Sequence, residues 1–258
     1  MRQGTLSAAV LLLGVATLSP ARAAAPLETE TARFAPRGVL EAEAAYEYQT
    51  SSDGAEAALP LAFEYALMNR LSLLAEPVPY TSIRSNHAPG VSGQGDIEVT
   101  LSGLVRTETQ RIPALALAGE LKIPTAEAPF IGSDHYDATG YLIASKRFGS
   151  IDVHANLGYT IVGHPSELPV HNTVDYALAG EYEIAPRWTL VAEVVGNTAA
   201  LPEGSTPESA VAPEISAGET TAMLGARWRW TSGLIASFGV TVDNNGAILL
   251  RPALYRRF

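Results

Sequence analysis

His154 has Asp152 two residues before it and Asn156 two after, in the segment Ile151-Asp-Val-His-Ala-Asn-Leu-Gly-Tyr-Thr-Ile161. A histidine beside a carboxylate is the base half of a nucleophilic site, which also needs a serine positioned on the imidazole. No serine flanks this pair in that way, so the local spacing completes no triad. His87, His135, His164 and His171 match no standard metal spacing and read as solvated loop residues. Gly90-Val-Ser-Gly-Gln-Gly95 has the glycines of a phosphate loop, but the residues after Gly95 read as a strand, not a helix. No catalytic, cofactor-binding or metal-ligating set is expected.

The other candidates are charges that recur at alternate positions. Acids at such positions include Glu41, Glu43, Glu64, Glu98, Glu120, Asp152, Glu181 and Glu193; bases include Arg106, Lys122, Arg227, Arg229 and Arg251. Placed on facing walls, acids and arginines would orient a solute by their field. Alternatively, Arg227 and Arg229 pair with Glu193 and Glu181, and Arg257 with Glu41, so that the charges hold the structure. Both readings are open from the sequence.

The elements that must position these charges are strands. In Ile151–Ile161 every second residue is apolar (Ile151, Val153, Ala155, Leu157, Tyr159, Ile161) and the others are Asp152, His154, Asn156, Gly158 and Thr160. A period of two is a strand with one oily and one wet face. The pattern repeats in segments of about ten residues, the signature of a transmembrane β-barrel. A soluble sandwich alternates too, but it has no reason to sort its loops by end.

Here short connections at Asn69, Phe148–Ser150, Ala185–Arg187 and Thr231–Gly233 alternate with long ones at Thr81–Gly95, Pro124–Asp137, Val162–Asn172 and Gly196–Ala217. The expectation is an all-β, antiparallel up-and-down transmembrane barrel of about twelve strands, with short periplasmic turns and longer extracellular loops. On that topology Tyr65, Phe148, Tyr182, Trp188, Trp228, Trp230 and Phe258 form a periplasmic aromatic band. Tyr46, Tyr48, Tyr159 and Tyr176 form an external one.

The ends of the chain fit the same compartment. Arg2, the apolar run Ala8–Leu18 and Ala21-Arg22-Ala23 read as a signal peptide over residues 1–23, cleaved after Ala23. Residues 24–36 are expected to be a periplasmic segment or to lie at the barrel mouth, and residues 37–258 to form the barrel. Leu250, Leu254 and Phe258 alternate to an aromatic last residue, the insertion signal read by the barrel-assembly machinery; Arg256 departs from that pattern. With 27 acids against 17 bases, nucleic acid is not an expected partner. There is no Cys, so no disulfide and no thiolate metal site.

Gly95-Asp-Ile-Glu-Val-Thr-Leu101, Pro113-Ala-Leu-Ala-Leu117, Leu121-Lys-Ile-Pro-Thr125, Tyr141-Leu-Ile-Ala-Ser-Lys-Arg-Phe-Gly149 and His154-Ala-Asn-Leu-Gly-Tyr159 together resemble one family. It is the outer-membrane transporters described as "Putative MetA-pathway of phenol degradation". The resemblance is best over residues 95–159. It implies a barrel in outer-membrane lipid that passively admits small aromatic or hydrophobic solutes, without a cofactor, and it carries over no catalytic residues.

If the oily faces meet lipid, the lumen is lined by Glu41, Glu43, Glu64, Glu98, Arg106, Glu120, Lys122, Asp152, His154, Asn156, Glu181, Glu193, Arg227, Arg229 and Arg251. Many inward positions between them are Ala or Gly, which predicts a narrow open channel. The competing readings are a barrel hydrolase of lipase or deacylase type and a closed structural or adhesive barrel.

Overall fold

The computed structural model describes residues 26–86, 89–126, 131–164, 170–200 and 218–258; the expected signal peptide and Ala23 lie outside them. The first strands are β1 (Leu40–Ala45), β2 (Glu47–Thr50), β3 (Gly54–Ala58), β4 (Leu61–Met68), β5 (Leu71–Pro77), β6 (Thr81–Ser85), β7 (Val91–Gly93) and β8 (Ile97–Arg106). They are followed by β9 (Ala114–Ile123), β10 (Asp137–Phe148), β11 (Ile151–Ile161), β12 (Thr173–Ala185), β13 (Trp188–Asn197), β14 (Thr220–Thr231), β15 (Leu234–Asp243) and β16 (Ile248–Arg257). Every pairing is antiparallel. The order β1-β4-β5-β8-β9-β10-β11-β12-β13-β14-β15-β16 returns to β1, so twelve staves close into a barrel with no free edge.

β2, β3, β6 and β7 prolong four of these staves at the long-loop end, in the order β16-β2-β3-β6-β7. Prolines make the breaks. Tyr46 donates to Pro252 and Ala45 to Pro60, but neither proline has an N–H to return. Pro77 and Pro79 interrupt the step from β5 to β6 in the same way.

The expected long loop Thr81–Gly95 therefore contains a paired ladder, Thr81↔Gly93 to Ile83↔Val91. Beyond the membrane neither face of a strand has to be oily, so the periodicity signal is missing there although backbone pairing continues.

The oily faces point outward. Leu101, Leu157 and Leu224 are 49%, 54% and 71% exposed, whereas Thr100, Ser145, His154, Glu193 and Arg227 are buried inside the wall. An apolar exterior of this extent is the surface of a protein solvated by lipid. The aromatic bands are where alternation puts them: Tyr65, Phe148, Trp188, Trp230 and Phe258 stand outward at the turn end, and Tyr46, Tyr48, Tyr159 and Tyr176 outward at the loop end. Trp188, Trp228 and Trp230 stack in sequence, with centroids 6.1 and 5.4 Å apart.

Turn chemistry sets the register. Gly149 has φ +62°, and with Ser150 it closes β10 onto β11 in a two-residue turn that pairs Phe148 with Ile151. Four register shifts, at Ala66/Met68, Leu104/Arg106, Glu183/Ala185 and Arg229/Thr231, lie at the turn ends of β4, β8, β12 and β14. Each adds a residue to one strand and re-aims those after it. This corrects one lumen assignment. Beyond its bulge Arg106 stands opposite outward-facing Leu115 and is exposed, so it faces the lipid interface and not the lumen.

Candidate functional site: the lumen and its inner segment

Residues 26–35, expected in the periplasm or at the barrel mouth, run inside the wall. The inward charges and amides draw them there. Glu193 on β13 accepts the Glu28 N–H at 3.0 Å to each carboxylate oxygen, the Thr29 N–H at 2.5 Å, and the Thr29 hydroxyl. Asn156 on β11 accepts the Glu30 N–H at 2.7 Å and donates back to the Glu30 carbonyl at 3.0 Å. Ser145 on β10 accepts the Ala32 N–H at 2.8 Å. Arg33 then forks to Asp152 at 2.8 Å and to Glu108 at 2.6 Å, and the Arg37 N–H meets Asn69 in the β4–β5 turn.

The small inward residues have the same cause. Leu27 packs on Ala179, Val191 and Met223, and Ala32 on Ala114, Ala116, Ala118 and Ile143. A Cβ built on Gly225 would meet the Pro26 ring at 2.6 Å, and one on Gly239 would overlap it as well. Alanine and glycine at this level accommodate the segment; they were expected to leave an open bore.

Other inward charges group by level. Near the strand closure Arg257 bonds Glu41, as expected, and Glu41 stands opposite Glu64 on β4. Glu43, also on β1, stands opposite Ala62. Arg251 joins Glu47 at 2.7 Å, Glu28 at 2.6 Å and the Pro26 carbonyl at 3.1 Å.

Arg227, 4% exposed, reaches Glu181 at 2.8 Å across β13. Arg229 faces inward opposite Ile235. Toward the loop end, Glu76 stands opposite Glu98, Glu98 opposite Lys122, and Thr100 opposite Glu120. Lys122 is ion-paired with Asp137. Glu76 belongs to this acidic wall although sequence patterning had not singled it out.

One triad-like line does exist. Ser145 Oγ lies 2.8 Å from His154 Nδ1, and His154 Nε2 lies 3.5 Å from Glu181. The serine is on the neighbouring strand and does not flank the histidine in sequence, which is why local spacing missed it. The serine sits on Nδ1 and the carboxylate on the Nε2 side, and the serine oxygen also accepts the Ala32 N–H. The imidazole is thus turned end for end relative to a serine-hydrolase base. Ser145 and His154 are each 1% exposed beneath the inner segment. This line anchors Ala32.

Glu108, in the turn between β8 and β9, ties the segment to the rim. Burial works to raise its carboxyl, but Lys146, the Arg147 N–H and Arg33 outweigh that and hold it at about 2. A carboxyl held below its ordinary 4.5 stabilises the fold above that value, and the contribution fades as pH falls toward about 2. The conductance difference between wild type and Glu108→Gln is therefore expected to be the same at about pH 7 and about pH 5, and to be only about half as large near about pH 2. A difference already lost by about pH 5 would mean that this carboxylate is not held as described.

A closed twelve-stave barrel with an apolar exterior, two aromatic belts and a polar interior defines an outer-membrane β-barrel protein. The family model "Putative MetA-pathway of phenol degradation" matches residues 25–231, and the chain belongs to that family. Among solved structures, the COG4313 outer membrane channel from Pseudomonas putida F1 superposes with TM-score 0.64 at 17% identity, covering 87% of this chain and 97% of that one. The KdgM porin superposes with TM-score 0.54 at 11% identity, covering 84% of this chain and 99% of the porin. No curated protein matches the chain.

Proposed function

We propose that this chain is a passive outer-membrane channel for small solutes, aromatic and hydrophobic ones among them, whose bore is set by residues 26–35. The observation that carries the reading is how the lumen is filled. The wall's own side chains are small at that level, and a separate segment occupies the space. It is held by side chains alone, Glu193, Asn156, Ser145, Asp152, Glu108 and Arg251, so it can shift without breaking a single wall ladder. The family description and the names of the two solved structures, a channel and a porin, support the same reading. Movement follows the gradient and needs no cofactor. We also infer that the barrel-assembly machinery reads β16, where Leu250, Leu254 and Phe258 stand outward.

The test is uptake by cells lacking their general porins, with and without the full-length chain. Expression is expected to speed entry of a monohydroxylated benzene more than entry of a disaccharide. Equal rates with and without the chain would sink the channel reading. Ester hydrolysis by the purified chain that disappears in Ser145→Ala would replace it with the hydrolase.

A further inference from the structure

Charge is sorted along the barrel axis. At the turn end, Arg70, Arg106, Arg111, Lys146, Arg187 and Arg256 lie in the turns or on outward strand faces. The described acids at that end point elsewhere: Glu108 is engaged by Arg33 and Lys146, and Glu183 lies on the inward face of β12 beside Arg147. Among the described residues, Arg70, Arg106, Arg111, Arg187 and Arg256 have no carboxylate within ion-pair distance. The loop end has only Arg84 as an outward cation among the described residues.

These cations sit at the depth of the aromatic band. Arg256 lies over the Phe258 ring at 5.2 Å, and Lys146 over Phe148 at 5.9 Å. Arg256 stands between Leu234 of β15 and Ala42 of β1, so apolar wall flanks it on both sides. Arg106 of β8 stands opposite Leu115 of β9, which stands opposite Ala144 of β10, two residues before Lys146. Rings of this kind mark the boundary between hydrocarbon and headgroups. A guanidinium at that boundary with no protein anion beside it meets the phosphates of the lipid.

We propose that the turn end of the barrel is a binding girdle for anionic glycerophospholipid headgroups of the periplasmic leaflet. The aromatic rings seat the glycerol and upper acyl region, and the arginines take the phosphate oxygens. Anionic lipid is favoured over zwitterionic lipid because no outward acid balances the arginines. The inference holds whatever solute the lumen passes.

The experiment is native mass spectrometry of the full-length chain extracted from vesicles of phosphatidylcholine containing about one-fifth phosphatidylglycerol with the same acyl chains. The ratio of phosphatidylglycerol to phosphatidylcholine on the protein is expected to be about fivefold or more above that ratio in the vesicles, since one arginine near an anionic surface contributes about that factor. The combined variant Arg106→Gln, Arg111→Gln, Arg187→Gln and Arg256→Gln is expected to fall to near parity. Wild type without enrichment, or a folded variant that keeps it, overturns the proposal. Should the variant not fold, wild type decides alone by competition. Inorganic phosphate that strips the bound lipid would show a site for free phosphate and overturn the lipid assignment; retention of the lipid supports it.

Discussion

Replacing Glu193 by Val is expected to convert a mostly occluded barrel into one with a frequent open level, raising the open fraction about tenfold or more in single-channel recordings. The carboxylate satisfies two backbone N–H groups and one hydroxyl of the inner segment. Hydrogen bonds to a charged group contribute about 1.5–3 kcal/mol each, and about 1.4 kcal/mol is a factor of ten. Some of this returns when the freed N–H groups find water, so the sum is not realised in full.

Leu27 opposes release. It stays in its pocket of Ala179, Val191 and Met223, and burial of such a side chain is worth about 1.5–3 kcal/mol. Arg251 also still holds Glu28 and the Pro26 carbonyl. Opening is therefore expected to be partial and reversible. Glu193→Gln keeps one acceptor oxygen but turns an NH2 toward the segment, so it should fall between wild type and Val. Conductance in Glu193→Val indistinguishable from wild type would show that the carboxylate does not hold the segment.

The membrane-spanning strands were legible in the sequence. Ile151–Ile161 declared itself because apolar and polar residues alternate without a break, and lipid outside a barrel demands that regularity. The Gly149-Ser150 turn then implies which residues oppose: with Phe148 against Ile151, Ser145 must face His154. That pair could have been counted out from the turn, although no local motif announces it.

Arg106 could not be placed. Leu104 and Val105 are both apolar, so the bulge between Leu104 and Arg106 leaves no trace in the alternation. The inner segment was silent for a deeper reason. Its partners, Glu193, Asn156 and Ser145, bond mostly to backbone N–H groups, which every residue but proline possesses. Its course is encoded largely on the wall, by glycines and alanines spread over several strands, and in residues 26–35 only through isolated side chains such as Leu27, Thr29 and Arg33.

Arg227→Ala is expected to lower stability more than Glu193→Val, Glu108→Gln or Ser145→Ala. The guanidinium is enclosed, with Glu181 at 2.8 Å and His154 Nε2 on the other side of that carboxylate. Removing one member of a buried ion pair leaves the other charge unsolvated and typically costs about 3–5 kcal/mol. Here Ala also opens a gap beside Thr189, which stands opposite Arg227 on β13. The readout is the temperature at which the folded, fast-migrating band on a detergent gel gives way to the unfolded one, together with urea midpoints in micelles.

The double variant Arg227→Met with Glu181→Met separates two explanations. If the loss comes from a stranded carboxylate, removing both charges restores most of it, because a buried pair contributes little over an apolar pair of similar volume. If Arg227 matters mainly as packing, or through its other neighbours, Glu181→Met on the Arg227→Met background recovers nothing. Rescue of at least half the lost stability is the expected result, with the conductance of the rescued barrel close to wild type because Glu193, Asn156 and Ser145 still carry the inner segment.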